Sequence, residues 1–230
     1  MCGRARLPMD WNELKIKVKI GSRYAAPNLQ PTWNLAPTQD MLCVIRDPET
    51  GERKGLKMRW GLVPKRAKEV KSKYPTFNAK AETIDTLASF RGAWKNAQRC
   101  LVVTDGFYEW RKSDKQPYAI ACVNDSLTVM AGLWEEWTSP EGEVVLSCTV
   151  ITTNANELIG ALHDRMPVIL AEEDWPAWLG EVPATNEELK ELLTPFPSER
   201  MNLWPVDKRV GNVRNNDASL VATIDLAPEP

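Results

Sequence analysis

Between Arg99 and Thr153 the chain carries four apolar, β-branched and aromatic runs in succession: RCLVVTDGFYEWRK, QPYAIACV, LTVMAGLWEEW and EVVLSCTVITT. The turn-forming stretches SDKQ, NDS and SPEGE separate them. Short runs of this kind, punctuated so regularly, read as strands of a mostly antiparallel sheet or partial barrel. Two further strands, MLCVIRD and GLKMRWGLV, are joined upstream by the turn PETGE. Helical pieces surround them. DWNELKIKVKI follows Asp10 as an N-cap. KAETIDTLASFRGAWKNAQ reads as one helix, and ANELIGALH as another, capped by Asn154 with Glu157 three residues on in a capping-box pattern. EEDWPAWLG and TNEELKELLT complete the set, and the basic, proline-bounded PKRAKEVKSKYP reads as an exposed loop or short helix. No repeat, low-complexity tract or Gly/Ser linker divides residues 1–230. The expected fold class is therefore α+β: a single compact domain with a β-rich, mostly antiparallel sheet or partial-barrel core and peripheral helices.

A hydrophobic fraction of 43% with 26% charged residues is that of an ordinary soluble globular protein. No apolar run approaches the ~18–20 residues of a membrane span, and no secretory leader is evident, so the expectation is a cytoplasmic protein without a membrane partner. The five cysteines are odd in number and widely spaced, with no C-x-x-C pair. Neither a metal site nor a cofactor is expected, and a monomer is. Cys43, Cys100, Cys122 and Cys148 lie in apolar runs and read as buried small hydrophobes. Cys2 stands apart, in the polar, arginine-flanked MCGRAR.

The net charge of −2 hides an uneven distribution. From Arg53 to Arg99 thirteen Lys and Arg face only Glu69, Glu82 and Asp85. From Leu170 to Glu191 seven carboxylates face only Lys190. A locally basic stretch can hold a polyanion whatever the overall charge; the plainer alternative is a solvated lysine-rich loop.

Position 2 has its own chemistry. Removal of Met1 leaves Cys2 with a thiol and an α-amine on adjacent carbons. The amine has a reference pKa of ~7.7–8.0, and the thiol is a strong nucleophile. Such a 1,2-aminothiol condenses with an aldehyde to an imine, which the sulfur closes to a five-membered thiazolidine. The plainer alternative is a chance cysteine at a frayed end. His163, the only histidine, lies in ALHDRMPVIL and is either structural or a proton carrier. Glu109, in DGFYEW, shares one strand face with Phe107 and Arg111. A carboxylate among aromatics suits acid–base work once desolvated, whereas one facing solvent on an edge strand does not. Asn78, in FNAKAET, can orient an amine or a backbone group, or simply cap the helix that follows. Ten tryptophans divide between core and exposed stacking platforms for single-stranded bases. Trp60, beside the basic stretch, is counted among candidate stacking contacts.

Taken together, MCGR, NLAPTQ, RWGLVP, FNAKAET, RCLVVTDGFYEW, AGLWE, LHDRMPVIL and VGNVRNNDASLV resemble, in order and spacing, the motifs of the SRAP (SOS response associated peptidase) family, from Cys2 to about Leu220. The resemblance implies a compact α+β domain that binds single-stranded DNA, often beside a duplex junction. It implies loss of Met1 and crosslinking of Cys2 to the ring-opened aldehyde of an abasic site, with Cys2, Asn78, Glu109 and His163 catalytic. Arg4, Lys80 and Arg165 match the family's DNA-contacting basic residues. Three departures stand out. Lys80 replaces an arginine, which removes bidentate phosphate contact there. KRAKEV lacks a tryptophan common after W-G-L-x-P, leaving Arg66 in its place. LVVTDGF replaces L-V-P-A-D-G-F. Two rival readings are an N-terminal-nucleophile glutamine amidotransferase, whose chains also begin Met-Cys-Gly but continue as a buried apolar strand, and a noncatalytic module for single-stranded DNA.

Overall fold

The computed structural model describes residues 2–124 and 126–226. Its strands are β1 (Ala5–Leu7), β2 (Thr32–Leu35), β3 (Asp40–Arg46), β4 (Arg53–Trp60), β5 (Asn78–Lys80), β6 (Arg99–Thr104), β7 (Gly106–Trp110), β8 (Pro117–Cys122), β9 (Thr128–Thr138), β10 (Val144–Asn154), β11 (Arg165–Pro167) and β12 (Met201–Pro205). The helices are α1 (Trp11–Lys17), α2 (Arg91–Lys95), α3 (Glu157–Gly160), α4 (Trp175–Leu179) and α5 (Asn186–Glu191). All are short, so their stability comes from packing against the sheets rather than from propensity. No helix among the described residues is long and apolar enough to cross a membrane.

The strands form two sheets. One is antiparallel throughout, in the order β12-β8-β7-β1-β2. In the other, β10, β4, β3, β6 and β9 pair in turn, and β9 pairs again with β10, so five strands close on themselves as a barrel. Only the pairings of β10 with β4 and β5 are parallel. A cluster containing Leu42, Val44, Leu101, Val103, Val129, Ala131 and Leu133 takes one barrel face, against Trp94, Trp175 and Trp178 from α2 and α4. A second cluster, with Cys2, Cys43, Met58, Trp60, Val102, Phe107 and Ile120, fills the space towards the five-stranded sheet. The α+β class with a β-rich, mostly antiparallel core is as expected.

Several elements differ from expectation. RCLVVTDGFYEWRK is two strands in two sheets, because the chain crosses at Asp105–Gly106. A Cβ at Gly106 would lie 2.4 Å from the Ile120 carbonyl oxygen, so only glycine permits that crossing. KAETIDTLASFRGAWKNAQ is not one helix. Lys80 is held in β5 opposite Thr152, a 3-10 turn spans Ala81–Thr83, and α2 begins only at Arg91. Between them, only Ile84 and Phe90 are fully buried, too sparse a pattern for a helical stripe. Asn154 does not cap α3. It remains in β10, paired with Arg165, and Asn156 caps the helix by accepting from the Ile159 amide at 2.9 Å. Asp10 and Thr185 cap α1 and α5, the latter in a full capping box with Glu188. PKRAKEVKSKYP is a loop, pinned where the Trp137 indole donates to the Ala67 carbonyl at 2.8 Å.

Gly132 sits mid-barrel between Cys100 on β6 and Val150 on β10. A Cβ there would lie 2.7 Å from Val102 Cγ2, 2.9 Å from Cys100 Sγ and 3.0 Å from the Thr149 carbonyl oxygen. Gly132→Ala is expected to destabilise by about 1–3 kcal/mol through overpacking, lowering Tm by about 2–4 °C for each kcal/mol. Calorimetry showing an unchanged Tm would mean that β6 and β10 separate freely, against the closed barrel.

Candidate active site at the N-terminal cysteine

β1 lies between β7 and β2, and its antiparallel register with Phe107 runs the residues before Ala5 along β7 towards its end, where the Tyr108 amide donates to the Arg4 carbonyl at 2.9 Å. There the Asn78 side chain, from β5 of the other sheet, donates through Nδ2 to the Cys2 carbonyl at 2.7 Å. Asn78 Oδ1 is buried and accepts no hydrogen bond among the described residues. Asn78 is a strand residue, so the alternative of a helix cap does not hold; Lys80 precedes the 3-10 turn and makes no capping bond.

Cys2 is not the exposed exception its polar neighbours imply. It is fully buried, as are Cys43, Cys100 and Cys148, whereas Cys122 is half-exposed. Burial, followed by the charge of Glu109, pushes the Cys2 thiol well above the ordinary thiol range. Glu109, on β7 opposite Tyr118, is itself 5% exposed, and burial raises its carboxyl above the ordinary value. The aromatic setting read from FYEW is thus a desolvating one. Lys112, just past β7, ties this strand to the histidine turn: its amide donates to the Leu162 carbonyl at 3.3 Å and its ammonium pairs with Asp164. His163 is lowered below the ordinary imidazole value, first by burial and then by the charges of Lys112 and Arg165. Its Nδ1 accepts from the Arg165 amide at 3.0 Å. A carboxyl raised and an imidazole lowered are two proton carriers brought towards neutrality from opposite sides.

The basic candidates divide. The Arg4 guanidinium bonds the Asn34 side chain at 2.8 Å and the carbonyls of Val210 and Gly211, and lies over Trp110. Arg165 is gripped by Glu82, Asn154 and the Thr152 carbonyl. Lys80 and Arg66 are exposed. Trp60 is not a stacking platform: it has no exposed surface, packs edge-on against Phe77 and donates to the Phe77 carbonyl at 2.9 Å. Sequence reasoning passed over Asn34, whose buried amide shares Nδ2 among the carbonyls of Val210, Asn212 and Asn215. Its signal was its place in NLAPTQ. Among the described residues no group of three or more His, Cys, Asp or Glu is arranged to hold a metal ion. Met1 and its removal lie outside the described residues.

The chain matches the family described as SOS response associated peptidase (SRAP) over residues 1–213. It belongs to that family. It is 37% identical to the abasic site processing protein YoqW of Bacillus subtilis over 224 residues, 96% of this chain and 99% of that one. With the abasic site processing protein HMCES of Xenopus tropicalis it shares 34% identity, covering 86% of this chain and 67% of the relative. A crystal structure of a Bacteroides thetaiotaomicron protein superposes with a TM-score of 0.85 at 23% identity, covering 97% of this chain and all of that one, which shows the fold. The amidotransferase reading falls with this membership. The segment after Cys2 itself begins as a largely buried strand, β1, before helix α1, so a strand there does not separate the two readings.

Glu109 gives a stability test with a defined sign. Its folded-state pKa is raised, so its favourable contribution is complete below the unfolded value and is lost as pH rises through the folded one. Glu109→Gln mimics the neutral form. The variant is expected to match wild type in Tm under acid conditions and to gain on it as pH rises from the unfolded-state value through the raised folded-state one. Parallel Tm curves across that range would show that Glu109 is not held by a desolvating site.

Proposed function

We propose that the protein binds single-stranded DNA and joins Cys2, freed of Met1, to the aldehyde of an abasic site as a thiazolidine. The observation that carries this reading is the Asn78 amide holding the Cys2 carbonyl at 2.7 Å, with the buried Glu109 carboxyl close enough for its charge to act on the thiol. That grip fixes the residue whose amine and sulfur must both reach one carbon. The names of the relatives, abasic site processing proteins, supply the substrate class.

The chemistry balances as a condensation. The α-amine of Cys2 adds to the aldehyde, and loss of one water gives the imine. The sulfur then adds to the imine carbon while its proton passes to nitrogen. No redox partner is needed. An imine at this position also invites β-elimination of the 3′ phosphate, so ring closure diverts an intermediate that would break the strand. Asn78 orients the amine. His163 moves a proton at the sugar oxygen as the deoxyribose opens. Glu109 takes and returns protons during imine formation, closure and reversal, a role its desolvated carboxyl suits. The buried Cys2 thiol stays protonated until a base removes its proton, and Glu109 is the base beside it. Arg4, Lys80, Arg165 and Arg66 are proposed DNA contacts. The same Cys2 and Glu109 would assist removal of Met1 where it is self-catalysed.

Intact-protein mass spectrometry, before and after incubation with single-stranded DNA carrying one abasic site, tests the reading. The expected product has lost Met1 and gained the DNA strand less one water. Cys2→Ala is expected to give none, and His163→Ala to form it about 10²–10⁴-fold more slowly. Loss of Met1 with no adduct would overturn crosslinking. Salt-sensitive binding indifferent to Cys2→Ala would leave the noncatalytic module.

A further inference from the structure

Three elements meet behind the histidine. Glu82 comes from the 3-10 turn after β5, Arg165 opens β11, and His163 lies in the turn between α3 and β11. The Arg165 guanidinium forks onto both Glu82 oxygens, at 2.5 Å and 2.9 Å, and also bonds Asn154 Oδ1 at 3.0 Å and the Thr152 carbonyl at 2.6 Å. Its side chain is 13% exposed, while that of Glu82 is 49% exposed. The Arg165 amide then donates to His163 Nδ1 at 3.0 Å.

From this geometry we infer that Glu82 is a positioning residue: acting through Arg165, it holds His163 in the neutral tautomer that carries its proton on Nε2. The inference deepens the proposed crosslinking reading and rests on it for the role of His163.

A neutral imidazole has one donor nitrogen and one acceptor nitrogen. Because Nδ1 accepts the Arg165 amide, the proton is on Nε2, which is therefore the nitrogen that can donate to a sugar oxygen. The groups facing the ring favour this state. Burial and the charges of Lys112 and Arg165 keep it neutral. The one carboxylate near Nδ1, Asp164 at 3.9 Å, is paired with Lys112, so it does not draw the proton to Nδ1.

A half-exposed ion pair contributes little to stability, so the value of the Glu82 fork is geometric. A two-point contact sets the guanidinium plane as a single contact cannot. With the two β10 acceptors it holds both terminal nitrogens of Arg165, and so fixes the direction of its amide. Without the fork, the 162–165 turn relaxes and Nδ1 loses its donor.

The chain's single histidine makes the test direct. In ¹⁵N-labelled protein its two ring nitrogens are the only imidazole signals, and their shifts report the tautomer. Wild type is expected to show the Nε2–H form alone above its lowered pKa. Glu82→Gln, isosteric and at a half-exposed position, puts an amide against the fork and is expected to show both tautomers. Arg165→Lys, which keeps the charge and loses the fork, is expected to do the same. The crosslinking rate at saturating abasic DNA is expected to fall about tenfold in Glu82→Gln, less than the ~10²–10⁴-fold cost of removing the imidazole. A pure Nε2–H signal in Glu82→Gln overturns the inference, whether or not the rate changes. If wild type forms no adduct while the tautomer still depends on Glu82, the crosslinking reading fails and the positioning role stands.

Discussion

β10 is the strand on which the site hangs. Within one stretch its residues pair with β5 from Val150 to Thr152 and with β11 from Thr152 to Asn154. The first pairing sets Asn78, and through it the Cys2 carbonyl. The second sets Arg165, and through its amide the His163 ring. Because β10 also closes the barrel against β9 and β4, both sets of side chains are referred to the most deeply buried part of the fold. Groups on rigid strands are held more closely than groups on loops. The five-stranded sheet contributes Glu109 and the path of residues 2–4, so the site lies where the two sheets meet.

This placement has an electrostatic cost that is also its use. Cys2 and Glu109 are both buried; burial raises both groups, and the charge of Glu109 adds to the rise at Cys2. A nucleophile exposed at a flexible terminus would have more thiolate but also more freedom to be oxidised or to miss its target. Here the thiol remains neutral, and the group able to deprotonate it is its neighbour.

How much of this was legible in the sequence varies with the kind of signal. The strands showed, because apolar runs and turn residues carry their own period. Asn78, Glu109 and His163 could be named from the motifs that hold them. Helix extents failed where a neighbouring strand captured the residues: Lys80 belongs to β5 and Asn154 to β10, and neither capture has a local signature. Burial of Cys2 was missed for a related reason. MCGRAR is polar as a string, yet Arg4 and Arg6 direct their guanidiniums into fixed partners, Arg4 to Asn34 and Arg6 to Asp105 at 2.9 Å, leaving the backbone and Cys2 inside. Trp60 erred in the opposite direction, since nearness to a basic stretch says nothing about which face a strand residue takes.

The basic stretch itself resolves in the same way. Arg53 pairs with Glu181, Lys54 with Asp47 and Lys57 with Asp40, so three of the four β4 cations are paired within the protein, while Arg59 donates to the Gly61 carbonyl at 2.9 Å. Arg53 and Glu181, one from each oppositely charged segment, make a bidentate pair that joins them. Lys190 reaches from the acidic segment to Asp85 in the basic one. What sequence shows as two charged regions is thus tied together in three dimensions at these two pairs. The loop from Lys65 to Lys73 keeps all five of its cations exposed, and Lys80, Arg91 and Lys95 further on are exposed too. The loop follows β4 and leads directly into Asn78. Its exposed cations and Lys80 thus flank, in the chain, the strand residue that holds the Cys2 carbonyl.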